Sequence, residues 1–452
     1  MALTASLSPT MLATILFVAM AVIVFSLRNP LFLLAAHILS RGVLDSMPVA
    51  TYQHWWFGLS YMQFYSAAFI PVAFGIAWFN GHRFRDKENM PYIVLITASL
   101  LTTVLQQSWS GFFEVGFKWL YLWALVGLVM ACMQKNSEKR VLLILWLALL
   151  YPMGNQLYWA IFGSPLIESG QVSYQGTYFH NSDLGFLIFA SLSISFLLLT
   201  RIRGVHWKVL IIAVLVYAHI GLYINNYRTI LVALGVFWIL RIIILYSQEK
   251  AIGKVGVLSG GLALITLVIA ATGAELGERL ADIWVFLSDP GEYLDFSGKQ
   301  HQRVGLLSGR IDIINAYLYQ YVKSSFEVWI LGIGPEVGSS IVGTYAHNEF
   351  ISALVEGGVV GLMALFYFIV RSSALFLKET RLKGSASWIG LATFIALAVS
   401  ALGTMPFRNM RAMMLLGIII GWAAWHTQQS SKKAKGGSPK TKPMDDQKTV
   451  NQ

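Results

Sequence analysis

One cysteine, Cys132, occurs in the 452 residues, so no intrachain disulfide can form and any segment outside a membrane must hold together by packing. Charge is scarce too. Asp, Glu, Lys and Arg make up 12% of the chain against 56% hydrophobic residues, which excludes an ordinary soluble domain. Motif absences narrow the chemistry further. The glycine-rich run at 331–338 lacks the Lys-Ser/Thr that completes a phosphate-binding P-loop. No Gly-x-Ser-x-Gly elbow occurs. The one long polar stretch, 273–346, has neither clustered His or Cys nor an Asp-x-Asp pair, so the expectation is a metal-independent, cofactor-free reaction.

What the chain has instead is apolar runs long enough to cross the ~30 Å hydrocarbon core as helices. They fall near 9–27, 58–79, 91–108, 116–133, 140–157, 183–200, 209–224, 229–247, 255–272, 347–370, 387–403 and 412–427. The predicted fold is an all-α polytopic membrane helix bundle of about twelve transmembrane helices, with one large outer loop containing short helices. It divides into a bundle over 1–272, the loop 273–346, a C-terminal bundle over 347–427 and a disordered basic tail from 428 to 452. The first run lacks a basic lead and a small-residue cleavage site, so it reads as a span, not a cleavable signal. The segment 28–45 is ambiguous. As a re-entrant or interfacial piece it leaves twelve spans with the N-terminus inside; as a span it makes thirteen. The shortness of its apolar part, 31–40, favours twelve.

The net charge of +11 reflects orientation, not nucleic acid. Alternate connections near 80–90, 134–140, 201–208, 241–254 and 371–383, with the tail, hold 22 of the 33 Lys and Arg. That is the pattern of cytoplasmic segments under the positive-inside rule. The long loop carries nine acidic and five basic residues and belongs on the opposite side. Both termini are then expected in the cytoplasm. Trp284, Tyr293, Ile311, Ile314, Tyr317 and Trp329 give the loop apolar anchors, so it is expected to fold.

Sorting polar residues by side places Arg41, Asp45, His180, Asn181, Asp183, Arg228, Arg310, His347, Asn348, Arg408 and Arg411 at or beyond the outer face. Arginines that run against the topogenic bias fit an anion such as a lipid diphosphate. Arg228 sits in the tight turn Tyr223-Ile224-Asn225-Asn226-Tyr227-Arg228-Thr229, either binding an anion or snorkelling to headgroups. Arg310 follows Ser308-Gly309 and opens a helical pattern, where the helix dipole disfavours it. A docked anion would relieve that conflict, as would a salt bridge to Asp312. His347 begins a span beside water, so its imidazole is either a neutral base for a hydroxyl or an interfacial histidine bonded to a carbonyl. His180-Asn181 reads as supporting or structural. Arg41, Asp45, Arg408 and Arg411 read as snorkelling or topological charges.

Ser308-Gly309-Arg310, Leu331-Gly332-Ile333-Gly334, Ala346-His347-Asn348-Glu349-Phe350 and Leu354-Val355-Glu356-Gly357-Gly358-Val359-Val360-Gly361, in that order around a large loop, resemble the O-antigen ligase and polymerase superfamily. Tyr227-Arg228-Thr229 resembles its arginine turn, with Asn226-Tyr227 where Ser often precedes the arginine. His180-Asn181-Ser182-Asp183-Leu184-Gly185 resembles its His-x-Asn segment. The resemblance implies an inner-membrane glycosyltransferase with a periplasmic active site, acting in lipopolysaccharide, O-antigen or exopolysaccharide biosynthesis. Its donor would be an undecaprenyl-diphosphate-linked glycan. Its acceptor would be lipid A–core for a ligase, or a lipid-linked oligosaccharide for a polymerase. Arg228 and Arg310 would bind the diphosphate, and His347 would be catalytic. His180, Asn181 and Asn348 would support them. Membrane lipids and polysaccharide-assembly proteins are the other expected partners. A lipid-linked-sugar transporter and a non-catalytic assembly component are rival readings.

Overall fold

The computed structural model describes residues 9–51, 54–56, 59–84, 87–168, 171–248, 288, 310–383 and 385–434. The expected span at 255–272, Trp284, Tyr293 and the first half of the long loop lie outside them. The described chain is an all-helical bundle, with two short antiparallel hairpins as its only strands, β1 (His54–Trp56) with β2 (Leu59–Ser60) and β3 (Leu166–Glu168) with β4 (Gln171–Ser173). Its helices are α1 (Pro9–Arg28), α2 (Leu31–Asp45), α3 (Pro48–Thr51), α4 (Tyr61–Phe79), α5 (Met90–Gln106), α6 (Trp109–Lys135), α7 (Glu138–Ala148), α8 (Leu150–Phe162), α9 (Asn181–Leu199), α10 (Val205–Asn225) and α11 (Arg228–Gln248). Then follow α12 (Arg310–Val322), α13 (Phe326–Leu331), α14 (Val337–Val342), α15 (Glu349–Lys383), α16 (Ser385–Ser400) and α17 (Met410–Ala434). Among the described residues, eight helical stretches are long and apolar enough to cross a membrane, counting α7 with α8 as one. Helix is the form such runs must take, because hydrocarbon offers backbone groups no partner.

The bundle has a dry centre and an apolar rim. α17 is buried from Arg411 to Ala424, α9 from Asp183 to Ser195, and α6 from Ala124 to Met133. α17 and α6 approach closely through two glycines four residues apart: a Cβ on Gly417 would lie 2.6 Å from Leu125, and one on Gly421 2.8 Å from Val129. Small residues at that spacing maximise van der Waals contact where lipid removes the hydrophobic drive. The rim helices α4, α5, α10, α11 and α15 expose residues such as Phe64, Leu101, Val209, Ile239 and Met363.

Connections alternate between two ends of the bundle. One end, the basic end, gathers the C-terminal ends of α4, α6, α9, α11 and α15. The segment 28–45, expected as a re-entrant or interfacial piece, contains the helix α2. Phe25 meets Phe32 across the Asn29-Pro30 turn (ring centroids 5.9 Å apart), so α1 and α2 form a hairpin. That turn lies at the basic end, where the Asn29 and Asn136 amides exchange hydrogen bonds of 3.2 and 2.9 Å. The other end of α2 lies opposite: Tyr178 donates to the Gly42 carbonyl (2.9 Å) and Arg411 to Asp45. α2 therefore runs from one end of the bundle to the other. Its fifteen residues reach roughly 22 Å at 1.5 Å per residue.

The described half of the long loop is folded, as expected. Tyr317, Ala346 and Val355 form a small core with Ile313, Tyr321, Ile333, Val342 and Ile351 around it. Trp329 is an exception among the expected anchors: it is 41% exposed, its Nε1 donating to the Tyr321 carbonyl (2.8 Å). The tail also differs from expectation, since α17 stays helical to Ala434; residues 435–452 lie outside the described part.

The loop motif 331–334 and the motif 354–361 form one contact. α15 is broken at Gly358, whose φ of 65° and ψ of −166° are not helical. The break frees carbonyls, and the loop supplies their donors: Ile333 N–H to Val355 O and Gly334 N–H to Glu356 O, both 3.0 Å. A Cβ on Gly332 would sit 2.2 Å from the Glu356 carbonyl oxygen, and φ there is +78°. Gly332→Ala is expected to cost more than about 3 kcal/mol through backbone clash and strain. Gly343→Ala, at φ +82° in open space, should cost only about 1 kcal/mol. Thermal unfolding midpoints in detergent would check the contrast.

Candidate active site

Every sequence-nominated residue lies at the end opposite the basic turns, and the turn between α16 and α17 is their common anchor. Asn348 Nδ2 donates to the Leu402 carbonyl (3.1 Å), and Glu349 N–H to the Ala401 carbonyl (2.9 Å). Thr229 Oγ1 donates to the Gly403 carbonyl (3.5 Å), and Tyr227 OH to Thr404 Oγ1 (2.7 Å). The starts of α11 and α15 are thereby fixed to the same four residues.

Two helices begin with arginine here, each against its own dipole. Arg228 opens α11 and Arg310 opens α12. Arg310 reaches across: its Nη2 donates to Thr229 Oγ1 (3.4 Å), and its Nη1 lies 3.0 Å from where a Gly403 Cβ would be. Arg228 is the residue before that contact, and its Nε is buried. The Arg310 guanidinium thus reaches the first turn of α11, and a guanidinium beside a helix N-terminus is an arrangement that suits an anion. Ser308, the expected N-cap of α12, lies outside the described residues.

His347 sits between the loop and α15 with φ of 49°, a left-handed conformation that costs an L-residue of order 1 kcal/mol. It is accessible on one side. Burial lowers its proton affinity below the ordinary value near 6.5, and the charges of Arg310 and then His180 lower it further. Arg310 and His180 are therefore close enough for their charges to disfavour a proton on His347. Folding keeps the imidazole from taking a proton, so the unfolded chain protonates first. This histidine withdraws stability as pH falls from about 6.5 towards its lowered folded value.

The supporting residues have defined jobs. Asn348 Oδ1 caps α15, accepting from Phe350 N–H (3.0 Å) and Ile351 N–H (3.1 Å). His180 Nδ1 caps α9, accepting from Ser182 N–H (3.0 Å), and the Tyr227 ring meets it edge-on. Asn181 gives its carbonyl to Asn225 Nδ2 (2.7 Å), while its own Oδ1 is buried without a hydrogen-bond partner among the described residues.

Arg41, Asp45, Arg408 and Arg411 are not snorkelling charges, as the sequence suggested. All are buried and paired. Arg411 binds Asp45 (2.7 Å) and Asp183 (3.0 Å), and Arg41 Nε reaches the same Asp45 (3.1 Å). Arg408 meets Glu356 (2.6 Å), Glu349 (3.2 Å) and Glu336 (3.7 Å). Burial opposes the Arg408 charge, but Glu356, Glu349 and Glu336 outweigh it and push its pKa up. Burial raises the Glu336 carboxyl despite Arg408. The sequence reading passed over Glu336, Glu349 and Glu356. A usable signal was there: Glu349 and Glu356 stand seven residues apart, on one face of an apolar helix. Among the described residues no three His, Cys, Asp or Glu side chains converge as metal ligands.

Comparison with protein-family models and with curated proteins finds no match for this chain.

Two outcomes are expected. In protein carrying labelled histidine, the NMR titration of His347 should fall below 6.5 and move upward in Arg310→Gln, because a neighbouring positive charge is gone. Arg411→Gln strands Asp183 and leaves Asp45 to Arg41 alone, and should destabilise by about 3–5 kcal/mol, read as a lowered unfolding midpoint.

Proposed function

We propose that this chain is a membrane glycosyltransferase that moves a glycan from undecaprenyl diphosphate to a sugar hydroxyl at the periplasmic face of a bacterial inner membrane. The observation that carries the reading is the contact of Arg310 with Thr229 in the first turn of α11, with His347 near enough at the same end for the Arg310 charge to lower its proton affinity. Sequence resemblance to the O-antigen ligase and polymerase superfamily supports it. With the basic end cytoplasmic, the loop and the site face the periplasm. Because α2 runs the length of the bundle, the expected span at 255–272 then brings the total to thirteen, and the N-terminus lies outside.

The chemistry follows from the groups present. Undecaprenyl diphosphate is a competent leaving group, and Arg228 and Arg310 would stabilise the charge growing on it. His347 would accept the acceptor hydroxyl's proton as the oxygen attacks the anomeric carbon. One C–O bond forms, the bond to diphosphate breaks, and its electron pair leaves with the lipid. A single displacement inverts the anomeric centre. Asn348 would position His347 through the α15 cap, and His180 and Asn181 would support the start of α9.

Purified protein should transfer glycan from undecaprenyl diphosphate to lipid A–core, the ligase reaction. Polymerisation onto a second lipid-linked repeat would reassign it within the superfamily, and glycan movement across vesicles without product would make it a transporter. His347→Ala should lose ~10²–10⁴-fold in rate, and Arg310→Gln ~10²–10³-fold. Full-rate transfer by either variant, properly folded, would reject the assignment.

A further inference from the structure

At the basic end, Arg241 of α11 breaks the pattern set by Arg41, Arg408 and Arg411. It lies thirteen residues after Arg228, roughly 20 Å along the helix. Only 8% of it is exposed. Its Nε and Nη1 are buried, and neither has a hydrogen-bond partner among the described residues. Its guanidinium carbon stands 6.0 Å from the centre of the Phe196 ring on α9. Arginine cannot shed its proton to escape burial. One cation–π contact at that distance returns far less than the desolvation of the charge removes. A counter-charge from outside the described chain resolves this.

The surroundings identify its kind. Trp238, one turn before Arg241, donates its indole N–H to His219 Nε2 (2.9 Å) and so ties α11 to α10. From that tie towards the basic end, the two helices present apolar side chains outward: Val205, Val209 and Ile212 on α10, and Ile239 and Ile243 on α11, each more than half exposed. The adjoining connection 201–208 has three basic residues and no acidic one, and Arg203 and Lys208 are exposed. Acyl chains suit the apolar flanks, and a phosphodiester suits the guanidinium. Basic pockets between membrane helices hold anionic headgroups in this way. A free phosphate would leave the flanks uncovered.

We propose that Arg241 anchors the headgroup of an anionic phospholipid seated beside α10 and α11 at the basic end of the bundle. This stands apart from the glycan-transfer reading, since Arg310 and His347 lie at the opposite end. The test uses the full chain in detergent with phosphatidylglycerol, phosphatidylcholine or inorganic phosphate added. Bound lipid is read by native mass spectrometry and stability by thermal unfolding. Wild type should retain phosphatidylglycerol and unfold at a higher temperature with it. Phosphatidylcholine and phosphate should do neither. Arg241→Gln should retain about tenfold less, the factor expected for one lost charge-assisted contact, and its midpoint should not respond. Arg241→Lys keeps the charge without the fork and should fall between, and it carries the comparison if Arg241→Gln does not purify. Equal retention by wild type and variant overturns the proposal, as does an equal response to phosphatidylcholine or to phosphate alone.

Discussion

The end of the bundle that carries the candidate site depends on two arginines three residues apart. Arg408 gathers Glu336 from the loop and Glu349 and Glu356 from α15, and Arg411 gathers Asp45 from α2 and Asp183 from α9. Each pairing joins segments far apart in sequence. Buried ion pairs add little net stability over apolar packing, yet breaking one is costly. Their effect here is positional. They set where α9 starts, with His180 as its cap, and where α15 starts, with His347 just ahead of it. Residues 402–404, lying just before them, fix α11 and Asn348 by hydrogen bonds.

The bundle was legible in the sequence because hydrocarbon enforces one solution on a long apolar run. Every expected span that falls on described residues coincides with a helix. α2 was hard to read because its apolar part is short and is followed by Arg41 and Asp45, while His37 lies within it. Those side chains face inward, to Tyr65, Tyr121, Ser66 and Arg411, and polarity alone does not report direction. The same limit hid the Arg408 cluster. Its members lie at 336, 349, 356 and 408, and nothing local links the last to the others. Arg228, Arg310 and His347 could be nominated because each sits at a helix start or turn, where chain position itself gives side and depth. The partnership of Arg310 with Thr229 could not, for it crosses 81 residues.

Local strain is concentrated where those segments meet. Asn226, Glu336 and His347 all have positive φ without being glycine. Asparagine adopts that conformation at low cost, which suits the turn ahead of Arg228. Glutamate and histidine do not, and they persist because Arg408 holds the first and the Asn348 cap follows the second. Segments held this way keep their geometry before any ligand arrives, which suits the proposed stabilisation of a leaving group.

The break in α15 imposes an order on biosynthesis. Ile333 and Gly334 leave the ribosome some twenty residues ahead of the carbonyls they later satisfy, so the donors exist before the interrupted helix is made. Reversing that order, as a circular permutation opened between Gly334 and His347 would, asks α15 to form with two backbone oxygens bare. Chain direction is therefore part of how this protein avoids an unsatisfied polar group in the bilayer.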